Sequence, residues 1–348
     1  MKKNILALAV ASAIAAPVAM ADEGTKGPDV YGQINAAINS TSDMGMKTTD
    51  RDSRLGVKGS QDLGNGLKGV YKMEFGVSVA DSFDSLSGRN AFVGLAGGFG
   101  TVMVGRHDTP FKMSQPKDLF GDATYGDMGK TAIAGKLGVN GKAGEIRADN
   151  VVAYMSPEFN GVQFMVAGVS NIAQDVTGTA DNESETDSAL TNAISASVTY
   201  GSSKKGIYLA AAMNTWDGAT DKDTDQKAAT EMRISAQYAE AGLIANVVYQ
   251  SFDETNNIIG KTGTDGTNIQ VNLGYKMGNL MPKFKYSMVD YDKKHTTKED
   301  GSAMGIGVDY KLAKKTTAYV EYISSGKELG ANGDKDLTDI SFGVKHKF

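Results

Sequence analysis

The residues of this chain that could do chemistry are mainly charged side chains on short segments where polar and apolar positions alternate. In "SRLGVKG" and "VYKMEFG" the apolar residues share one face, so Arg54, Lys72 and Glu74 point to the other face. With Phe92 on the apolar face of "RNAFVGL", Arg89 points the same way as these residues. Fixed charges in water orient dipolar solutes and penalise apolar ones, so the predicted chemistry is electrostatic selection.

A second set of charged residues lies in the segment 107–147, which contains "PFKMSQPKDLFGDATYGDMGK". Connections longer than about 12 to 15 residues without secondary structure are usually functional or disordered. The aromatic residues and the two prolines of this segment do not suit a freely solvated loop. We therefore predict that it folds inward, so that Asp118, Asp122 and Asp127 face the basic side chains, with Arg147 as a further candidate base.

The composition excludes several kinds of partner and cofactor. Without Lys2 and Lys3, which belong to the N-terminal leader, the 36 basic residues become 34 against 41 acidic ones, a formal charge of −7. This balance argues against nucleic acid, because phosphate binding needs a concentrated basic surface. The chain has no cysteine and its three histidines are far apart in the sequence, so we predict neither a metal nor another cofactor.

Residues 1–21 have the layout of a secretory signal peptide. Two lysines precede a long apolar run, and the small-residue motif "AMA" ends the segment. We predict cleavage after residue 21 and export, which leaves residues 22–348 as a single domain. No apolar stretch in this domain approaches the roughly 18 to 20 residues that a spanning helix needs.

An aromatic residue recurs at the end of successive alternating segments. Four of these segments are "SASVTY", "RISAQY", "QVNLGY" and "GIGVDY", and "VVAY" opens the series. Phe348 follows the last of these tyrosines after 38 residues, close to the earlier spacings, so the chain ends where the next aromatic residue is due. Aromatic residues at a fixed height are typical of a membrane interface. The predicted girdle consists of Tyr154, Tyr200, Tyr238, Tyr275 and Tyr310.

The connections between the alternating segments indicate the architecture. One end has short turns such as "GNG" and "PEFNG", whereas the other has long polar stretches such as "NIAQDVTGTADNESETDSAL". We count sixteen segments, an even number that closes an antiparallel barrel with both termini on one side. The predicted fold is all-β: a 16-stranded antiparallel transmembrane β-barrel with short periplasmic turns, long external loops and an inward-folded third loop. At this strand number the lumen holds water.

Three stretches resemble the general diffusion porins of Gram-negative bacteria, most closely the neisserial and other proteobacterial type: "SRLGVKGSQDLGNGLKGVYKMEFG", "RNAFVGLAGGFGTVMVGR" and "YMSPEFNGVQF". The resemblance covers essentially the whole exported chain. It implies a homotrimer in the cell outer membrane that passes small hydrophilic solutes by passive diffusion. In the matched motifs, Arg54 and Arg89 correspond to bases that such porins place opposite the third loop. The motif "DLFGD" supplies Asp118 and Asp122 as acids of that loop.

The resemblance has departures and further implications. Enterobacterial members carry additional bases on the first and sixth strands, where this chain has Gln33 and Met155. Lys72 and Arg147 are the candidate substitutes for these bases. Outer-membrane lipid and lipopolysaccharide are the expected surroundings of the barrel. Phe348 is the expected assembly signal, through which the C-terminal strand meets the outer-membrane assembly machinery.

Three other kinds of function remain open. An enzyme in the same barrel would need an activated nucleophile or base, and no histidine has a serine and an acid partner by motif, so we predict no catalytic residue. A substrate-specific channel would line its pore with stacking aromatic residues or a dense lysine ladder, whereas the inward set here is mainly Lys, Arg, Ser, Gln and Asn. A structural or adhesive barrel predicts a plugged lumen, and we recognise no plug domain.

Overall fold

The computed structural model describes most of the predicted barrel domain. Asp122 and the predicted signal peptide, residues 1–21, lie outside the described residues. The described residues are 26–43, 45–80, 86–121, 125–128, 146–170, 190, 193–216, 229–254, 265–292, 299–326 and 336–348.

The described chain consists mainly of strands. A short helix, α1, covers Pro110–Met113, and no helix in the described part of the chain is long and apolar enough to cross a membrane. The strands are β1 (Lys26–Thr41), β2 (Gly45–Asp50), β3 (Arg54–Gly64), β4 (Leu67–Gly76), β5 (Ser87–Gly97), β6 (Gly100–Asp108), β7 (Arg147–Met155), β8 (Val162–Val169), β9 (Ala193–Ser202), β10 (Lys205–Trp216), β11 (Ala229–Glu240), β12 (Leu243–Glu254), β13 (Asp265–Tyr275), β14 (Leu280–Tyr291), β15 (Gly301–Ala313), β16 (Thr316–Ser325) and β17 (Leu337–Lys347).

These strands join one antiparallel sheet that closes on itself. β1 pairs with β17, from Gln33 opposite Lys347 to Thr41 opposite Asp339. The last residue completes the seam, because Phe348 exchanges backbone hydrogen bonds of 3.1 and 3.3 Å with Gly32 of β1. A closed sheet leaves no unpaired edge in the membrane, and this closure confirms the predicted barrel.

The barrel has sixteen strands over the described residues, because β2 and β3 are two pieces of one strand. Both pieces pair with β1, β2 along its second half and β3 along its first half. The interruption covers residues 51–53, where Asp52 adopts a positive φ of 64°. Aspartate tolerates this conformation better than most residues. Neighbouring residues of a regular strand point to opposite faces, but this interruption lets both Arg51 and Asp52 contact inward-facing partners.

The connections differ between the two ends of the barrel, as predicted. At the periplasmic end, Asn65 and Gly66 alone join β3 to β4, and both have positive φ angles, 54° and 74°. Such mirror-image turns match the twist of the strands they join. At the external end, connections include residues 109–146 and 170–192. The first external connection departs from the prediction of long loops, since only residues 42–44 separate β1 from β2.

Side chains alternate between the outside and the inside of the barrel. On β13, Ile269 and Val271 are exposed, whereas Gln270 and Asn272 are buried. Apolar side chains on the outer face suit lipid, and polar side chains on the inner face suit water or polar partners. β17 at the C-terminus follows the same rule: Ile340, Phe342 and Val344 are exposed on the outer face, and so is Phe348 after it.

The third loop packs against the inner wall of the barrel. The Thr109 hydroxyl caps α1 by accepting from the backbone N–H of Lys112, and α1 then packs against β8, β9 and β10. Further along, the buried rings of Phe120 and Tyr125 join an apolar cluster with Ile323 of β16 and with β17. These contacts confirm the predicted inward fold for the described part of the loop.

Candidate pore constriction

Three of the four predicted bases share an ion-pair network on the inner face of β3, β4 and β5. Asp52, in the strand interruption, contacts both Arg54 and Arg89. The Nε of Arg89 donates to Glu74 at 2.7 Å, and the Nζ of Lys72 lies 3.3 Å from the same carboxylate. Glu74 is therefore embedded among the bases and does not stand opposite them.

Arg147 extends this network onto β7. Its guanidinium lies 3.1 Å from the Asp108 carboxylate and donates to the Asn90 amide oxygen at 2.8 Å. Asn90 also donates to Asp108 at 2.8 Å, and Lys112 of α1 lies 3.4 Å from Asp108. Because Asn90 follows Arg89 in β5, the two sets of contacts adjoin. The structure thus brings the four predicted bases together as one basic wall: Arg54, Lys72, Arg89 and Arg147.

A β-bulge explains the inward position of Arg89. The register between β4 and β5 shifts at Glu74, so that Arg89 and Asn90 together lie opposite this one residue. Phe92 then faces inward, where its ring centroid lies 4.9 Å from that of the buried His107. The prediction that Phe92 faces outward is therefore wrong. Arg89 faces the lumen because of the bulge, since simple alternation from an inward Phe92 would turn it outward.

Polar side chains of the far wall hold the third loop by its backbone. The N–H of the buried Phe111 donates to the Ser195 hydroxyl of β9 at 3.0 Å. The N–H of Lys117 donates to the Gln237 side chain of β11 at 2.9 Å, and its carbonyl accepts from Asn246 of β12 at 2.8 Å. The loop is therefore hydrogen-bonded to the wall at successive strands and does not hang freely in the lumen.

Asp118 points to the barrel wall at β14 rather than to the basic wall. Its carboxylate lies 3.2 Å from the Nζ of Lys285, and the two side chains are only 7% and 3% exposed. The backbone N–H groups of Phe120 and Met128 donate to the same carboxylate. Lys285 also donates to the Gly126 carbonyl at 2.8 Å. Asp118 thus fastens the tip of the loop to β14.

The two other acids predicted on the loop are Asp127 and Asp122. Asp127 is half-buried, close enough for its charge to act on Asp118, and Asp122 lies outside the described residues. Burial raises the pKa of Asp118 above its ordinary value, the charge of Lys285 opposes that rise, and Asp127 adds to it. The described part of the loop therefore does not present a row of acids to the lumen.

A second buried ion-pair group, beside the loop tip, was not predicted from the sequence. The Nζ of Lys283 lies 2.7 Å from Asp309 and 2.6 Å from Glu321, and Arg51 lies 2.9 Å from Glu321. Lys283 also donates to the Leu119 carbonyl at 2.9 Å, which gives the loop another attachment. Alternation along β14 and β16 could have identified the lysine and the glutamate, but the strand interruption that positions Arg51 has no such signal.

The predicted aromatic row lies at the periplasmic end of the barrel, next to the short turns. The hydroxyl of Tyr154 donates to the Phe99 carbonyl at 2.6 Å. Phe348 faces outward, and its ring lies over Gly32, where an added Cβ would come within 2.3 Å of the ring. The remaining four tyrosines are between 46% and 49% exposed on the outer face: Tyr200, Tyr238, Tyr275 and Tyr310.

A closed barrel with an apolar outer face, many polar side chains on its inner face and an internal loop defines an outer-membrane channel protein. Comparison of sequences gives the same answer. Residues 7–327 match the family described as Gram-negative porin, and the chain belongs to this family. It is 28% identical over 369 aligned residues to the major outer membrane protein P.IB of Neisseria meningitidis, with 100% of each chain covered. The family membership confirms the predicted resemblance and the outer-membrane location.

Solved structures share the fold. The anion-selective porin from Comamonas acidovorans matches with a TM-score of 0.72 at 19% identity, over 92% of this chain and 99% of that one. The trimer form of OmpT from Vibrio cholerae matches with a TM-score of 0.66 at 18% identity, over 94% and 100%. These matches confirm the fold class. The chain is thus an outer-membrane channel for the diffusion of small solutes, and its relatives are channels rather than enzymes.

Proposed function

We propose that ions and small hydrophilic solutes cross this porin through a constriction between the basic wall and the third loop, and that the constriction favours anions. The observation that carries the proposal is the placement of the two parts. The described loop is fastened to the wall between β9 and β14, whereas the basic wall lines β3, β4, β5 and β7. A solute in the remaining space meets fixed charges held in place by their own ion pairs.

The preference for anions follows from the charges on each side. The basic wall and Lys112 supply five positive side chains, and their contacts include three acids: Asp52, Glu74 and Asp108. On the loop, the carboxylate of Asp118 is paired with Lys285. With Asp127 of the loop as a fourth acid, the five positive side chains still outnumber the acids by one, so the described charges around the proposed constriction favour anions over cations. The Comamonas acidovorans neighbour is itself anion-selective.

We propose further that three copies of the chain form a homotrimer, as in the trimer form of OmpT. The outward tyrosines would then mark the periplasmic interface of the membrane, with lipid and lipopolysaccharide around the assembly. Phe348 would serve as the assembly signal recognised by the outer-membrane assembly machinery, and residues 1–21 would be removed on export. The mass of the purified protein, intact and denatured, tests both the trimer and the cleavage.

The constriction is tested by single-channel current in a planar bilayer under a salt gradient. We expect current in three equal steps and a reversal potential on the anion side. The double variant R54Q/R89Q should move the reversal potential toward cations. The control K204Q/K205Q removes two positive charges from an exposed periplasmic turn and should leave it unchanged.

The outcomes separate the alternatives. A folded barrel without current would contradict the channel and favour a structural barrel. Current with the same reversal potential in wild type and R54Q/R89Q would contradict the role of the basic wall. Conductance that saturates with one solute but not with KCl would favour a substrate-specific channel over general diffusion.

A further inference from the structure

A cavity of about 270 Å³ lies in the periplasmic half of the lumen, beneath the third loop. The loop closes it from above with Asp118, Leu119 and Gly121, and the last four strands form its walls. The turn between β15 and β16 lies at its periplasmic side. It is separate from the basic wall, which lines β3, β4, β5 and β7.

The inner part of the cavity is balanced in charge. Lys283 and Arg51 meet Asp309 and Glu321 in the buried ion-pair group, two bases against two acids. The hydroxyl of Tyr319 donates to the Asn35 side chain at 2.7 Å. This inner part is polar and held by defined contacts, but it contributes no net charge.

The outer part of the cavity is strongly basic. Among the described residues, the whole lining contains seven basic and three acidic side chains, a net excess of four positive charges. The lysines come from the loop, the turn and the last strand, so the fold brings them together from separate parts of the chain. The five lysines of this outer part are Lys117, Lys314, Lys315, Lys345 and Lys347.

The field inside the cavity acts on Lys117 of the loop. Burial lowers its pKa below the ordinary lysine value, and the charges of Lys276, Lys345 and Lys347 lower it further, while Asp309 opposes them. Like charges gathered in one cavity repel one another, and an anion placed among them relieves that repulsion.

We infer that this lysine cavity binds a small multivalent oxyanion, such as a solute with two phosphate groups. The volume falls just below the roughly 300 to 1,000 Å³ of pockets for drug-sized ligands, which favours a compact ligand. Lysine ammonium groups act as mobile point charges with three donors each, so they suit phosphate oxygens without a fixed geometry. The inference rests on the proposed function in one respect: the lumen must be open to water.

Binding is tested by isothermal titration of inorganic pyrophosphate into the purified protein in neutral detergent at low salt. We expect saturable binding that weakens as KCl is added, because the attraction is between charges. The double variant K117Q/K345Q should bind about tenfold more weakly or worse, since it removes two charge-assisted contacts. The control K204Q/K205Q, with the same change of charge on another periplasmic turn, should bind like the wild type.

A second variant covers the case in which K117Q/K345Q fails to fold. K314Q/K315Q changes only the exposed turn between β15 and β16, and it should also weaken pyrophosphate binding about tenfold. Equal affinity of K314Q/K315Q and the K204Q/K205Q control would overturn the inference, as would the absence of saturable binding to the wild type.

Current measurements keep this inference distinct from the proposed function. Pyrophosphate added on the periplasmic side should reduce or interrupt the KCl current of the wild type more than that of K314Q/K315Q. A KCl current that does not change when pyrophosphate is added would overturn the inferred oxyanion binding and leave the proposed channel function in place. Saturable binding of pyrophosphate by a protein that carries no current would overturn the proposed channel function and leave the inferred oxyanion binding in place.

Discussion

Replacing Asp118 with asparagine should loosen the tip of the third loop without changing the ion selectivity of the channel. The carboxylate is buried against β14, where it pairs with Lys285 and accepts backbone N–H groups of Phe120 and Met128. Asparagine has nearly the same shape but offers one acceptor oxygen in place of two. Its amide donors would face the Lys285 ammonium or a backbone N–H, which are donors themselves.

These contacts determine the free-energy cost of the D118N substitution. Removing one partner of a buried ion pair typically costs about 3 to 5 kcal/mol. Here Lys285 keeps the Gly126 carbonyl as an acceptor, and the asparagine oxygen keeps one backbone N–H. We therefore expect about 2 kcal/mol, which raises the population of the undocked loop tip roughly thirtyfold. The strand pairing of the barrel does not involve this side chain, so thermal unfolding of the barrel should change little.

Single-channel recording separates a loop anchor from a pore-facing charge. The D118N variant should show more current noise and close at a lower voltage than the wild type, with the same reversal potential under a salt gradient. D149N makes the same chemical change at an exposed aspartate paired with Arg106, and it should behave like the wild type. A reversal potential displaced toward anions in D118N, without added noise, would refute the anchor and support an acid that faces the pore.

A double-mutant cycle with Lys285 tests the pairing itself. If Asp118 and Lys285 act through each other, the effect of D118N/K285Q on channel noise should be smaller than the sum of the two single effects. Additive effects would mean that the loop tip is held by the backbone contacts alone.

Three further predictions concern the seam, the buried ion pairs and the lysine cavity. Gly32→Ala should slow barrel closure, because the Phe348 ring occupies the space of the new Cβ; G88A, which meets no atom within 4 Å, is the control, and the rate of the heat-sensitive shift in gel mobility measures both. Glu321→Gln should lower the unfolding temperature of the barrel in detergent, since it leaves two buried bases short of a carboxylate at a cost of about 3 kcal/mol; an unchanged temperature would contradict this. The affinity of the lysine cavity for pyrophosphate should fall as the pH rises, beginning below the ordinary titration range of lysine. A bound anion stabilises charged Lys117, whose pKa is lowered in the free protein, and titrations repeated up to about pH 10 check the trend.

The barrel could be predicted from the sequence because its signals are local and repeated. Alternation along each strand indicates its inner and outer faces, and every second strand in the second half of the chain carries a tyrosine just before a short turn. Tyr200, Tyr238, Tyr275 and Tyr310 are all outward in the structure, and the pattern that ends at Phe348 places it at the seam. These features depend on a period of two and on spacing, which a single sequence records directly.

Features that depend on irregular backbone could not be predicted in the same way. Simple alternation predicts that Phe92 faces outward and Arg89 faces inward. The bulge at Glu74 interrupts the alternation, so Phe92 and Arg89 both face inward. The interruption at Asp52 likewise turns Arg51 to the lumen at a point where alternation gives no information. A shift of one residue leaves composition and spacing unchanged, yet it decides which charges meet.

The polar inner face of the barrel has a second role that alternation also conceals. Glutamine and asparagine side chains on β11, β12 and β13 are the kind expected to line a water-filled pore, yet Gln237, Asn246 and Gln270 donate to or accept from the backbone of the third loop. A loop rich in apolar residues can therefore dock inside the barrel, because polar side chains of the wall satisfy its backbone groups while its rings pack against apolar wall residues such as Ile323. The same contacts turn Asp118 away from the lumen. A passing solute therefore meets only the loop charges that the wall has not already paired. Counting the acidic residues of the loop sequence does not give that charge.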